Sequence, residues 1–190
     1  MRLFSARGCT DIKVSDLAEE AGVARGTIYS HVASIEDLFS DIAARKSEEM
    51  SLRVERRLSD VNDAARRIAF GIRWYIQAAH EDPEWCRFVT RFAFSAESLQ
   101  HVLSGRPSQE ISAGQSQGRF ELKADQLQAA VTLAASSVIA AMVLVREGHA
   151  TWRDAGGQCA FLVLRALGLD CAEAQSIAGE PLPQLSFTSL

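Results

Sequence analysis

The sequence predicts an all-α protein, an N-terminal helix-turn-helix head carrying a larger helical-bundle body. Three observations predict it. Ala, Leu, Glu and Arg dominate the 190 residues, against 4 prolines and 12 glycines, so helix formers outweigh breakers. Apolar residues recur at helical spacing along most of the chain, and no strand-length alternation appears. Short helical segments separated by turn residues crowd the beginning, and longer ones fill the remainder.

In order along the chain, Arg7 to Asp11, with Gly8, stops a first helix and supplies turn residues. Val14, Leu17, Ala18 and Ala21 mark the inner face of the next helix, which Gly22 ends. Val23 to Gly26 is a short connection, and Thr27 to Val32 forms another short helix with Ile28 inward. Ser34 with Asp37 forms a capping pattern and opens a longer helix, whose apolar stripe is Ile35, Leu38, Phe39 and Ile42. A helix over about 61–80 turns Ile68, Ile72, Tyr75 and Ile76 inward, and Asp82-Pro83 starts the next. Pro107 to Gly118 is a short helix. Two long apolar helices follow at about 124–147 and 151–168, joined at Gly148. The expected division is a head at 1–46, a body at 47–169 and a loosely held tail at 170–190.

Composition narrows the function classes. Hydrophobic residues are 47% and charged residues 23%, an ordinary globular balance that excludes disordered and collagen-like chains. Cys9, Cys86, Cys159 and Cys171 form no CxxC pair, the pattern of reduced thiols in a cytoplasmic protein and not of a zinc site or disulfide framework. No cofactor or metal is expected. The run Ala129 to Val145 lacks charge but contains Thr132, Ser136 and Ser137, and it is shorter than the ~20 residues of a membrane span. It is read as a buried helix with no membrane partner. The net charge of −4 argues against a chain coated in nucleic acid but leaves room for a small DNA-reading head.

Val14 to Phe39 carries the informative motif. Leu17, Ala18, Ala21, Val23 and Ile28 would share a small core, with Ala18 and Ala21 small enough for two helices to cross closely. The second helix then offers Arg25, Thr27, Tyr29, Ser30 and His31 outward. A helix of this width fits the major groove of B-DNA, and its first residues meet base edges.

At these residues the sequence resembles the TetR family of transcriptional repressors. The match runs through Leu3-Phe4, Gly8, Val14 to Val23, Gly26 to His31 and Glu36 to Phe39, and Ile111 to Phe120 resembles the family's short seventh helix. The resemblance implies a homodimer on double-stranded DNA, its last two helices forming a four-helix bundle with those of the partner. Its two heads read the half-sites of a palindromic operator. A small-molecule effector in each body moves the helix that opens at Ser34 and releases the DNA. Lys13, Arg25, Thr27, Tyr29, Ser30 and His31 become the expected DNA contacts, with no catalytic residue.

The sequence departs from the family at several points. Lys13 and Ala24 stand where hydroxyl residues usually cap the two short helices, a loss of about 1 kcal/mol each. Val32 replaces a usual Phe, and Ile35 a usual Lys. The match begins part-way through the family's first helix and lacks the basic arm before it, the pattern expected of a truncated start. Residues 1–46 hold six basic and seven acidic side chains, so a modest DNA affinity is expected. The alternative reading is a helical ligand-binding protein or enzyme with a vestigial head.

In the body, Trp74, Trp85, Phe88 and Phe92 lie at helical spacing with Gln77, His80 and Arg91 among them. An apolar cavity with a few polar groups is what a small ligand requires, so these seven are the expected effector site. Phe94 extends the aromatic run. For any single aromatic, core packing is the favoured reading over pocket lining. His80 and His101 show no metal-ligand spacing. Gly114 to Gly118 matches GxSxG literally, but no hydrophobic strand precedes the serine. The apolar faces of the last two helices imply an isologous dimer, and a charge at Ala134 or Ala141 is expected to break the dimer or the fold.

Overall fold

The computed structural model describes residues 3, 12–31, 34–93, 100 and 102–183. The stop expected at Arg7 to Asp11, and Val32, Phe94 and His101, lie outside the described residues.

The regular elements with defined bounds are all helical. The head holds α1 (Val14–Ala21) and α2 (Arg25–His31), and α3 (Ile35–Leu58) leads away from it. The body continues with α4 (Ala64–Glu81), α5 (Pro83–Phe92) and α6 (Arg106–Ser116). A 3-10 turn (Ala124–Gln126) enters α7 (Leu127–Arg146), followed by α8 (Trp152–Ala166) and α9 (Cys171–Gly179).

Side-chain caps set most of the helix starts. Ser34 accepts the Asp37 N–H at 2.9 Å, Asp82 that of Trp85 at 2.9 Å and Thr151 that of Asp154 at 3.1 Å. Each satisfies one N–H that the helix itself leaves unpaired. The first helix lacks this device, in keeping with Lys13 at its start. The Lys13 side chain makes no cap bond, and only Asp16 reaches back to accept the Lys13 N–H at 2.8 Å. Gly22 ends α1 at φ +65°, a left-handed turn that other residues enter at a cost.

The body is organised around α4, which buries ten of its 18 residues, Ile68, Phe70, Ile72, Trp74 and Ile76 among them. It packs against α8, α7, α6, α9 and α5. Ile76, Ile111, Met142 and Leu164 are fully enclosed. The Gly114 to Gly118 pattern belongs to this packing. A Cβ on Gly114 would lie 2.1 Å from the Phe120 ring, and Gly118 leaves α6 at φ +68°. The Ser116 hydroxyl donates to the Ser112 carbonyl at 2.9 Å.

One expectation is corrected. The stretch Cys171–Gly179 does not belong to a loose tail. Asp170 caps α9 by accepting the Glu173 N–H at 2.9 Å, and Ala174, Ile177 and Ala178 are buried. Their i, i+3, i+4 spacing makes one apolar face, which packs on α8 and α4. Pro181 and Pro183 fall after this helix and do not break it. Helix α7 is covered on one side within the chain. Ala130, Val131, Ala134, Ala141, Met142 and Val145 face the interior, whereas Leu133 and Leu144 are 50% and 46% exposed. Ala134 and Ala141 therefore serve the protomer's own core. Among the described residues, Ala124–Arg146 is the one helix long and apolar enough to cross a membrane by length and composition.

Candidate nucleic-acid interface and effector site

The head is thin. Leu17 and Ala18 are buried in α1, and no residue of α2 is. Its core consists of Ile12, Leu17, Phe39 and Phe88, with Ile28 packed against them from α2. With Ile28 inward, Arg25 and Tyr29, four residues apart, share an outward face. Arg25, Thr27, Tyr29, Ser30 and His31 are all exposed, Tyr29 by 67%, and Lys13 is exposed at the start of α1.

Local hydrogen bonds shape what α2 presents. The Thr27 carbonyl accepts from the Ser30 hydroxyl at 2.9 Å and from His31 Nδ1 at 2.9 Å. Ser30 thus has its proton engaged by its own helix, as serine commonly does inside helices. The His31 bond requires the proton on Nδ1 and leaves Nε2 free to face outward. Arg25, Thr27 and Tyr29 are exposed, as a groove-reading surface needs.

The residues expected to form the effector site fall into separate places. Trp74 and Trp85 are buried in the body core. Phe88 instead belongs to the head's core, and Phe92 packs on the same cluster. The Phe39 ring of α3 lies 5.3 Å from Phe88 and 4.1 Å from Phe92, so these three rings join head to body. Gln77 donates to Glu81 at 2.7 Å, and Glu81 also accepts from Arg53 of α3 at 3.2 Å. His80 and Arg91 are exposed. One side of α5 thus faces the body and the other faces the head, a division that spacing along a single helix does not reveal.

The opposite end of α3 is held by a residue the sequence did not single out. Arg67 of α4 donates to Glu110 of α6 at 2.6–2.9 Å and to Glu55 of α3 at 3.1 Å. Its remaining nitrogen donates to the Leu58 carbonyl at 2.9 Å and the Val61 carbonyl at 3.2 Å, closing the end of α3. The hydrogen bonds that Arg67 donates to Glu110 hold its charge and raise its pKa further. Arg106 adds a second tie to Glu55 at 2.7 Å. These partners are far apart in sequence, so no local pattern announces them.

Tyr75 was read only as an inner-face residue. Its ring is 6.2 Å from that of Trp85. Burial pushes its phenol up to about 12. The Cys86 and Cys159 thiols are buried and also pushed up by desolvation, Cys159 to about 11. Among the described residues no group of His, Cys, Asp and Glu is arranged to hold a metal ion.

Comparison with known proteins places this geometry. Residues 1–42 match the family described as bacterial regulatory proteins, tetR family, and residues 63–180 match the tetracyclin repressor-like C-terminal domain. The HTH-type transcriptional regulator AcrR of Shigella flexneri is 45% identical over 42 residues, which is 22% of this chain and 20% of AcrR. The chain thus matches about a fifth of the length of that curated relative. RolR, solved in complex with resorcinol, is 27% identical with a TM-score of 0.76, over 97% of this chain and 91% of RolR. A tetR family transcription regulator from Shewanella sp. PV-4 has the same fold at 19% identity, with a TM-score of 0.78 over 88% of this chain and 93% of its own. The two family matches cover most of the head and the body in the order the geometry requires, and the chain belongs to the TetR family of transcriptional regulators.

Proposed function

We propose that the chain is a repressor that binds a palindromic DNA operator as a homodimer and is released by a small aromatic effector. The observation that carries this reading is α2, a helix with no buried residue, packed through Ile28, with Arg25, Thr27 and Tyr29 exposed. A helix built only for stability would bury a face. Phosphate contacts by Lys13, Tyr29 and His31 would seat the head, and Arg25 and Thr27 would meet base edges.

Dimerisation accounts for the other unpartnered surface. Leu133 and Leu144 of α7 and Leu162 of α8, 63% exposed, are large apolar side chains that a second copy would cover isologously. This cover, and not a lipid bilayer, is the occupant proposed for α7, and the cytoplasm is the compartment that fits. Resorcinol on RolR makes an aromatic compound the effector class of choice. We assign no catalytic activity.

The test is binding of DNA from the gene's own upstream region, measured by fluorescence anisotropy at two salt concentrations alongside sedimentation. A dimer that prefers this DNA over a scrambled duplex is expected, with affinity falling as salt rises. Leu162→Glu should give a folded monomer that loses operator binding. Wild-type protein that sediments as a monomer at micromolar concentration, or binds both duplexes alike, overturns the reading.

A further inference from the structure

His31 ends α2 with one ring nitrogen engaged and the other open. Its Nδ1 lies 2.9 Å from the Thr27 carbonyl oxygen and 3.0 Å from the Ser30 hydroxyl. That hydroxyl donates to the same carbonyl at 2.9 Å. A carbonyl oxygen only accepts, so an Nδ1 without a proton would set two lone pairs against each other at 2.9 Å. The proton therefore rests on Nδ1. The ring's bonds to described residues all use that atom, and His31 is exposed.

The neutral ring fixed in this tautomer cannot hold a phosphate. At Nε2 it offers a lone pair, and phosphate oxygens are acceptors as well. Two acceptors repel. Contact becomes favourable once Nε2 takes up a proton. The ring then donates there, keeps its Nδ1 bond to Thr27 and sets a positive charge beside the phosphate. Histidine is the side chain type that changes charge between pH 5 and 8, so water supplies this proton under ordinary conditions.

The other ionisable groups around the head are of different types. Helix α2 also carries Arg25 and Tyr29, and α1 carries Asp16, Glu19 and Glu20 with Lys13 before it. The head end of α3 carries Glu36, Asp37 and Asp41. Helix α5, which reaches the same core through Phe88, carries Glu84, Arg87 and Arg91. Side chains of these types ordinarily hold one protonation state between pH 6 and 8. The other described histidines, His80 and His149, belong to the body.

We propose that DNA binding takes up a proton at His31 Nε2 in each head, and that the imidazolium so formed seats α2 on a phosphate. This inference rests on the proposed phosphate contact of His31 and adds its protonation state and the resulting pH response. The proton comes from solvent on binding and returns to it on release. Because the bound state holds more protons than the free one, affinity falls as pH rises. The expected loss between pH 6 and 8 is about fivefold per head, or about 25-fold for two heads. A phosphate contact carries no sequence information, so operator and scrambled DNA should respond alike.

The experiment titrates the full chain, wild type and His31→Gln, with the gene's upstream duplex and a scrambled duplex of equal length. Anisotropy is read at pH 6, 7 and 8 at fixed ionic strength. Wild type should lose about 25-fold in affinity from pH 6 to 8 on both duplexes. His31→Gln should bind almost evenly across that range, since an amide donates to phosphate without taking up a proton. Calorimetry at pH 7 in Pipes and in Tris counts the proton directly and needs no variant. Wild type should take up about half a proton per head at that pH, and His31→Gln none. Wild-type binding without proton uptake would mean that the ring moves its proton to Nε2 and accepts from Ser30 at Nδ1. That result overturns the inference and leaves DNA recognition standing. A pH response kept in full by His31→Gln places the proton elsewhere and also overturns it. Binding of neither duplex at any pH overturns the DNA-binding reading and this inference together.

Discussion

Head and body solve different problems with the same secondary structure. Helix α2 buries none of its residues, whereas α4 buries ten of its 18. Among the described residues the head's core holds Ile12, Leu17, Phe39 and Phe88, and the last two come from α3 and α5. The body closes around Ile76, Ile111, Met142 and Leu164 with almost no exposure. A surface kept for DNA cannot also be spent on packing. The head therefore borrows stability from its neighbours, and the body supplies it.

The largest test of this contrast is chemical. Cys171 is exposed, and Cys159 is buried with its thiol pushed up to about 11. Only the thiolate reacts, so Cys159 stays unreactive at neutral pH and gains reactivity as pH rises towards that value. At pH 8 Cys171 should be alkylated more than about a hundred times faster than Cys159. Comparable rates, read by mass spectrometry, would mean that the body opens readily and would break the comparison.

Substitution sharpens it. Leu164→Ala, at a fully enclosed position, should cost about 3–5 kcal/mol and lower the melting temperature of the whole molecule. Leu17→Ala should cost about 2 kcal/mol, felt as faster hydrogen exchange in α1 and α2 with α8 unchanged. Equal loss of protection in α8 would show head and body to unfold as one unit. Gly114→Ala forces the Phe120 ring aside and should cost about 2 kcal/mol in chemical denaturation. The smallest effect is expected on the head's surface. Tyr29→Phe should leave stability unchanged and weaken operator binding by about 1 kcal/mol, alike on scrambled DNA.

The two regions also differed in how far the sequence disclosed them. The head was legible because its signals are local: Gly22 at a left-handed turn, Ser34 capping the Asp37 N–H, Ile28 facing inward. Lys13 was read as a poor cap, and its side chain indeed makes no cap bond. The body was legible as helices but not as a site. Helical spacing shows that Trp85 and Phe88 both face inward, but not that one belongs to the body core and the other to the head. Nor does spacing distinguish Ala134, packed within its own protomer, from the exposed Leu133 beside it. Prolines drew attention away from α9, whose apolar spacing ends just before them. Arg67 and Tyr75 depend on partners from helices distant in sequence, where local patterns carry no information.

The ties at the two ends of α3 have a mechanical consequence. The helix is 24 residues long, or roughly 36 Å at 1.5 Å per residue. Its body end is fixed near Arg67, and its head end near Phe39 rests on rings, which slide more readily than ion pairs break. The helix is a lever whose fulcrum lies some 30 Å from its load. A tilt of about 5° displaces the head by about 3 Å, and in the proposed dimer two-fold symmetry would double that between the paired heads to about 6 Å. Successive major grooves on one face of DNA are about 34 Å apart, so in that proposed dimer a rotation too small to disturb the body's packing would put the heads out of step with the helical repeat.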